Sequence, residues 1–198
     1  MWLLTKRFMD IAVSVLGLVL LAPLLLIVAL AIKMESPGPI LYRSRRIGSK
    51  GREFTCLKLR TMVADADERR HKVEHLNERA GVLFKISNDP RITRVGRFLR
   101  KYSLDELPQF WNVLKGEMSL VGPRPPVPGE VTQYDLEHLR RLDVMPGITG
   151  LWQIKGRRDP SFSNYVALDL EYIENWTLWL DFKILLQTVP EVLRGTGQ

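Results

Sequence analysis

Two adjacent carboxylates, Asp105 and Glu106, are the residues whose types and spacing point most directly to chemistry. They lie in the segment Ser103–Gln109, where a helix is predicted to begin. A carboxylate at a helix N-terminus stays ionised and can act as a nucleophile or a metal ligand, while free N–H groups there attract phosphate. Ser103 followed by Glu106 is also the signature of a capping box, in which the acids only begin the helix. Spacing alone leaves both interpretations open.

Four regularly spaced arginines could provide a binding site for an external anion. Arg91, Arg94, Arg97 and Arg100 recur every three residues, which predicts a basic stripe along one helix. Because guanidinium groups without acidic partners at i±4 repel one another, the stripe favours an external anion. A solvated helix face is the alternative interpretation.

A second basic element is Arg124, which stands between Pro123 and Pro125. The prolines fix the backbone on both sides, so the guanidinium would be held at little entropic cost. A rigid linker is the alternative. Seven other residues are predicted to contact the substrate or its phosphates. Lys58 and Arg60 lie on the second predicted strand, and Pro125 follows Arg124. Gly147, Thr149 and Gln153 belong to a glycine turn and the short strand after it, and Arg157 lies in a basic turn.

Composition limits the class of protein. The 198 residues suffice for one domain with a core, and 45% hydrophobic with 26% charged residues excludes wholesale disorder. A single cysteine, Cys56, excludes an internal disulfide framework and a multi-cysteine metal site. The net charge of +7 favours anionic partners, which are nucleic acid, phosphorylated small molecules or acidic lipids.

An apolar segment precedes this polar domain. Ile11–Ile32 contains 22 residues without a charge, and a helix of that length reaches about 33 Å, enough to cross the hydrocarbon core. Lys6 and Arg7 precede the segment and many basic residues follow it, so both ends favour the cytoplasmic side. With Pro23 near its middle, the sequence favours a re-entrant helical hairpin over a spanning helix or a cleaved signal peptide. We therefore divide the chain into a membrane segment, 1–36, and a catalytic domain, 37–198.

The remaining pattern predicts an α+β fold, with a mostly helical compact domain and a small antiparallel sheet. Two β-prone segments, Ile40–Ile47 and Glu53–Thr61, flank a glycine-containing turn and predict a hairpin. A polar helix is predicted over Ala64–Ala80 and another helix over Glu130–Leu142. The apolar C-terminal stretch, with its tryptophans, either packs in the core or meets lipid headgroups.

Five motifs, taken in order, resemble those of the monotopic phosphoglycosyl transferases, a family of bacterial sugar transferases. The resemblance extends from Lys6 to Leu193, nearly the whole chain. The residues that carry it are Lys6–Asp10, Lys58–Met62, Ser103–Gln109, Lys115–Pro125 and Pro146–Gly150.

The resemblance implies a reaction and a location. Such enzymes move a sugar 1-phosphate, here a hexose 1-phosphate, from a UDP-sugar to polyprenyl (undecaprenyl) phosphate and release UMP. They act at the cytoplasmic face of the bacterial inner membrane, in the first membrane step of lipopolysaccharide, exopolysaccharide or other glycoconjugate synthesis. By carry-over, Asp105 is the nucleophile that forms a covalent aspartyl phosphosugar, and Glu106 completes the dyad. Magnesium is the implied cofactor, with both carboxylates as ligands.

One position departs from the family pattern. The family often breaks its membrane helix at Ser-Pro, whereas the corresponding pair here is Ala22-Pro23. The sequence leaves the sugar open and leaves homodimer formation open, and we expect no nucleic-acid partner. Two rival functions remain: a membrane-anchored basic module that binds anions or lipid without catalysis, and a metal-dependent phosphodiesterase that hydrolyses sugar nucleotides.

Overall fold

The computed structural model describes residues 2–77, 86, 88–156, 159, 161–195 and 197. The α-helices are α1 (Trp2–Glu35), α2 (Arg70–Val73), α3 (Arg94–Lys101), α4 (Gln109–Lys115), α5 (Pro128–Val131), α6 (Leu136–Leu139), α7 (Phe162–Glu174) and α8 (Leu178–Leu193). The strands are β1 (Leu41–Ile47), β2 (Glu53–Leu59), β3 (Ser119–Val121) and β4 (Gly147–Thr149). Short 3₁₀ turns lie at Ser49–Gly51, Glu74–Leu76, Leu104–Glu106 and Arg140–Leu142, and a π-helical turn at Trp152–Gly156.

The predicted α+β class is confirmed, and so is the small antiparallel sheet. β1 and β2 form the predicted hairpin, with Leu41 opposite Leu59 and Ile47 opposite Glu53. A second sheet pairs β3 with β4 in parallel. The sequence did not predict this pair because strands of three residues are too short to show an alternating pattern.

Two predicted helices are shorter than expected. Within Ala64–Ala80, only α2 and the turn Glu74–Leu76 are helical among the described residues, and residues 78–80 lie outside the described part of the chain. The helix expected over Glu130–Leu142 is divided into α5, α6 and the turn Arg140–Leu142. Both segments are polar, and without a long apolar face a helix gains little from packing to stabilise its full length.

Helix α1 contains 34 residues and is long enough to cross a membrane. The mean hydropathy of its most apolar 18-residue window is 3.1, which is also sufficient for a membrane segment. Only 11% of that window is buried. Ala22 and Pro23 lie inside the helix, which continues through this pair where the sequence predicts a break. Pro23 lacks an N–H, so the carbonyl of Val19 loses its usual donor there.

The beginning of α1 is fastened to the catalytic domain through a buried carboxylate. The Lys6 ammonium donates to Asp181 Oδ2 at 2.5 Å and to the Val121 carbonyl at 3.1 Å. Asp181 is fully buried and also accepts from the Tyr172 hydroxyl at 2.8 Å and the Trp176 indole N–H at 3.2 Å. These contacts therefore join α1, β3, α7, α8 and the turn between α7 and α8.

Two more charged residues of the first turns bind backbone groups. The Arg7 guanidinium donates to the carbonyls of Val113 and Leu114, at 2.6 and 2.9 Å, near the end of α4. The buried Asp10 carboxylate accepts the N–H of Leu120 in β3 at 3.1 Å. The motif Lys6–Asp10 thus docks the helix on the domain.

The other end of α1 is fastened to the same domain. The Glu35 carboxylate accepts the N–H groups of Arg94 and Val95, at 2.7 and 2.9 Å, at the N-terminus of α3. The Arg60 guanidinium donates to the Ser36 carbonyl at 2.7 Å, just after the helix. In addition to these hydrogen bonds, Val28 and other apolar residues of the last turns of α1 pack against β2 and α3.

The C-terminal stretch has one buried and one exposed face. Ile184 of α8 is buried in the largest core cluster together with Leu120 and Val121 of β3. Trp179, Phe182 and other apolar residues of α8 are exposed. Core packing is therefore confirmed for the buried face of α8, and contact with lipid headgroups stays a prediction for the exposed face.

We predict that Asp181→Leu destabilises the fold by about 3–5 kcal/mol, because the Lys6 ammonium would lose its partner in a buried site. The matched control is Glu171→Leu, which removes an exposed ion pair with Lys155 and should cost less than about 1 kcal/mol. Denaturant unfolding in detergent micelles, followed by tryptophan fluorescence, measures both changes. Equal losses would contradict the role assigned to the buried pair.

Candidate active site

A one-turn 3₁₀ helix, Leu104–Glu106, presents the two carboxylates. Ser103 precedes it in the left-handed region, with φ 54° and ψ 22°, and its side chain makes no capping bond. The Ser103 N–H donates instead to the carbonyl of Arg100 at 3.0 Å. Since that N–H is occupied, Glu106 cannot complete the predicted capping box, and the capping interpretation is wrong.

The dyad opens into a cleft of about 1060 Å³ between the hairpin, α3 and the π-helical turn. Most of the predicted site residues line it, namely Lys58, Arg60, Arg97, Arg100, Asp105, Glu106, Arg124, Thr149 and Gln153. Pro125 and Gly147 line a narrow recess beside Lys58, Glu106 and Arg124. Arg157 lies outside the described residues.

Glu106 is held between two cations from different elements. Its Oε1 accepts from the Lys58 ammonium of β2 at 2.6 Å and lies 3.4 Å from Nη1 of Arg124, in the loop after β3. The side chains of Lys58 and Glu106 are 16% and 18% exposed, so solvent screens this contact only partly. The predicted rigid arginine and the predicted strand lysine thus converge on one carboxylate.

Asp105 is the less solvated member of the dyad. Within the described part of the chain, its carboxylate accepts no hydrogen bond, although the residue is only 9% exposed. Burial raises the pKa of the Asp105 carboxyl, and the negative charge of Glu106 raises it further. Lys58 is the strongest opposing influence on this pKa, followed by Arg100. An unbonded carboxylate of raised basicity, surrounded by cations, is suited to attack phosphorus.

The predicted arginine stripe is only partly present. Arg91 lies before α3 and forms a buried ion pair with Asp89 at 2.6 Å, so its assignment to the stripe is wrong. Thr93 caps the N-terminus of α3, so Arg91, two residues earlier, lies outside the helix. Arg97 and Arg100 do line the cleft.

Arg60 occupies a different position from the other predicted phosphate ligands. Two of its guanidinium nitrogens donate to backbone carbonyls that follow α1, at 2.7 Å each. These bonds assign Arg60 mainly to fastening the membrane helix. Arg100 is less engaged, since only its Nε has a described hydrogen bond, to Thr61 Oγ1 at 2.9 Å.

A buried network behind Arg124 was missed by sequence reasoning. The Arg141 side chain is fully buried, pairs with Asp169 at 2.8 Å and Glu130 at 3.2 Å, and donates to the Arg124 carbonyl at 3.3 Å. The neighbouring Arg140 is exposed, and no pattern in this polar segment distinguishes the two. Sequence reasoning also did not identify Arg46 of β1, which lines the cleft.

The residues after β4 contribute polar groups to the cleft. Thr149 Oγ1 lies 2.8 Å from Thr188 Oγ1 of α8. The buried Oε1 of Gln153 has no hydrogen-bond partner in the described structure, so it can accept a hydrogen bond from a ligand. Gly147 acts through its backbone, because its N–H donates to the Pro123 carbonyl at 2.8 Å.

The two carboxylates also fit a magnesium ion. Among the residues described, no three His, Cys, Asp or Glu side chains form a metal cluster. Mg²⁺ nevertheless binds commonly through one or two carboxylates together with substrate phosphates and water. Asp105, with its unbonded oxygens, and Glu106 beside it supply such a donor set.

We predict that Gly147→Ala destabilises the domain by about 1–3 kcal/mol. A Cβ at this position would lie 2.1 Å from the Gly122 nitrogen, so the Arg124 loop would have to shift. Gly129→Ala is the control, because its Cβ would meet no atom within 4 Å and a helical alanine should stabilise by about 0.4–1 kcal/mol. Thermal unfolding measures both; an unchanged melting temperature for Gly147→Ala would contradict the packing role.

Comparison with known proteins identifies the family of this chain. The family model of the bacterial sugar transferases matches residues 1–195. The chain is 43% identical to the exopolysaccharide production protein ExoY of Rhizobium meliloti, covering 98% of this chain and 88% of the relative. It is 44% identical to a UDP-glucose:undecaprenyl-phosphate glucose-1-phosphate transferase of Caulobacter vibrioides, covering 96% and 70% respectively.

Other relatives are much longer than this chain. The undecaprenyl-phosphate galactose phosphotransferase of Salmonella typhimurium is 44% identical over 97% of this chain, which spans only 41% of that protein. The match of the family model, residues 1–195, extends over every segment from Lys6–Asp10 to α8. The chain belongs to the bacterial sugar transferase family.

Proposed function

We propose that this protein transfers a hexose 1-phosphate from a UDP-sugar to polyprenyl phosphate through a covalent intermediate on Asp105, with release of UMP. The observation that carries the proposal is the Asp105 carboxylate, buried and without a hydrogen bond in the described structure, next to the Lys58–Glu106–Arg124 cluster. Two relatives support the same chemistry by their names: the undecaprenyl-phosphate galactose phosphotransferase and the UDP-glucose:undecaprenyl-phosphate glucose-1-phosphate transferase.

The first step is an attack of an Asp105 carboxylate oxygen on the phosphorus that carries the sugar. The new Asp105–phosphorus bond forms as the bond to the bridging oxygen breaks, and that oxygen leaves with its electron pair on UMP. In the second step an oxygen of polyprenyl phosphate attacks the same phosphorus and regenerates the carboxylate. A soluble donor and a lipid acceptor can thereby use one site in turn.

The cations make this attack electrostatically feasible. A carboxylate and a diphosphate repel each other, and Lys58, Arg100 and Arg124 supply positive charge where the repulsion would act. Glu106 keeps Lys58 and Arg124 together, so these cations need little reorganisation as the leaving phosphate gains charge. We assign Asp105 as the nucleophile and Glu106 as the group that orients its neighbours.

Magnesium is the cofactor we propose, held by Asp105 and Glu106 and completed by substrate phosphate oxygens and water. When bound, the ion would neutralise phosphate charge and polarise the phosphoryl group. The donor sugar stays open between glucose and galactose, because the relatives carry names of both kinds. A role in exopolysaccharide synthesis is supported by the name of the Rhizobium relative.

We also propose that α1 is re-entrant and that the domain lies at the cytoplasmic face of the inner membrane. Two observations support this topology: Lys6 and Arg7 at one end, and Glu35 at the other, bind the same catalytic domain. A helix that crossed the bilayer would carry one of these ends away to the opposite side. Pro23 removes one backbone hydrogen bond near the middle of the continuous helix, which favours a bend there.

We predict that Asp105→Asn abolishes transfer, because an amide is a poor nucleophile toward phosphorus. With donor labelled in the sugar-linked phosphate, magnesium and no acceptor, the wild type should release one UMP per active site and retain label on the protein. Asp105→Asn should do neither. Asp143→Asn, an exposed carboxylate remote from the cleft, is the matched control and should behave as the wild type.

Three outcomes would oppose all or part of the proposal. Continuous UMP release without acceptor would favour the phosphodiesterase. Normal lipid binding with no UMP release from any UDP-sugar, even with polyprenyl phosphate present, would favour the non-catalytic anion-binding module. Sequential kinetics with unlabelled protein would exclude the covalent intermediate while leaving sugar-phosphate transfer in place.

The topology makes a second prediction about accessibility. Leu3 and Met34 are 73% and 85% exposed, near opposite ends of α1, and Cys56 is buried. In a Cys56→Ser background, Leu3→Cys and Met34→Cys should both react with an impermeant maleimide in inside-out vesicles and not in right-side-out vesicles. Reaction of the two cysteines from opposite sides would show a spanning helix.

A further inference from the structure

Arg46 lies on the cleft side of β1, next to Lys58 and Arg124, which bind Glu106 of the dyad. It stands opposite Phe54 in the hairpin and lines both the large cleft and the narrow recess that contains Lys58, Glu106 and Arg124. The preceding residue, Arg45, is exposed and points to the other face because side chains alternate along a strand. The two neighbouring arginines thus have different environments.

Arg46 is partly buried and has no ion pair among the described residues. Its Nη1 donates to the Pro125 carbonyl at 3.0 Å and its Nε to Ser44 Oγ at 3.1 Å. Nη2 makes no described hydrogen bond. Burial lowers the pKa of the Arg46 guanidinium. The positive charge of Arg124 lowers this pKa further, because the folded protein places the two like charges close together.

The charges of the recess do not balance. Three cations, Arg46, Lys58 and Arg124, face one carboxylate, Glu106, and the charge of the neighbouring Asp105 is offset by Arg100, which leaves an excess of two positive charges. Glu130, the other acid that acts on Arg46, pairs with the buried Arg141. Partly buried cations without counter-charges are unfavourable, so the recess is built to receive an anion.

We propose that Arg46 binds the diphosphate of the nucleotide donor, as a fourth cation in addition to Lys58, Arg100 and Arg124. The inference rests on the proposed function, which supplies a UDP-sugar as the donor. A diphosphate diester carries two negative charges, which match the excess in the recess. Its oxygens would take the unused Nη2–H groups of Arg46, whose remaining bonds to Pro125 and Ser44 hold the guanidinium in place.

The test measures UDP and uridine binding to the purified full-length chain in detergent with magnesium, by calorimetry. Arg46→Gln should weaken UDP binding by about tenfold to a hundredfold, the expected loss of a charge-assisted hydrogen bond, and should leave uridine binding unchanged. Arg46→Lys, which keeps the charge and loses the fork, should fall between the wild type and Arg46→Gln. Arg45→Gln, on the opposite face of the same strand, is the matched control and should bind UDP as the wild type does.

The outcomes separate this inference from the function on which it rests. Wild-type UDP affinity in a folded Arg46→Gln protein, or an equal loss of uridine and UDP affinity, would overturn the role of Arg46 in phosphate binding. If Arg46→Gln fails to fold, Arg46→Lys is the deciding variant. Wild-type UDP affinity of Arg46→Lys, or an equal loss of its UDP and uridine affinities, would overturn the role of Arg46. A loss of UDP affinity alone would support that role. The labelling assay on the wild type, which does not involve Arg46 variants, tests the proposed function separately.

Discussion

The structure depends on one constraint, which is that both ends of a long apolar helix are bound to the same polar domain. Lys6 reaches the buried Asp181, and Glu35 caps α3. Both sets of bonds are charge-assisted; the Lys6–Asp181 pair is removed from water and is screened less than an exposed ion pair, whereas the Glu35 bonds are exposed. They fix where the domain lies relative to the helix, and hence relative to a bilayer that covers the exposed apolar residues between the two ends.

Positive charge is then concentrated at one place by elements far apart in sequence. Lys58 comes from the hairpin and Arg124 from the loop after β3, and Glu106 holds them together while Asp105 stays free of described hydrogen bonds. The completely buried Arg141 supports the loop from behind by binding the Arg124 carbonyl. Oriented charges of this kind favour a reaction in which a phosphate gains charge on leaving, because they need little rearrangement.

Sequence reasoning succeeded where a pattern has a local physical cause. The apolar run, the glycine turn of the hairpin and the adjacent carboxylates each have such a cause, and the structure contains the helix, the hairpin and the dyad. It failed where individual side-chain contacts decide, because such contacts leave no periodic pattern in the sequence. Arg91 was assigned to a helical stripe, but Asp89, two residues away, holds it before the helix. Arg141 lies beside an exposed arginine, and its burial follows from Glu130 and Asp169, which reach it from α5 and α7.

The anchor and the cleft share one structural element, β3. Asp10 binds the N–H of Leu120, and Lys6 and Tyr172 both bind the carbonyl of Val121. Three residues later in the chain is Arg124. A strand whose backbone is bonded to the membrane helix on one side therefore continues directly into the loop that faces Glu106. Because only Gly122 and Pro123 separate β3 from Arg124, the docking of α1 on β3 also constrains the position of the Arg124 loop. In the reaction that we propose, the position of α1 in a membrane would therefore set the height at which a lipid phosphate meets the cleft.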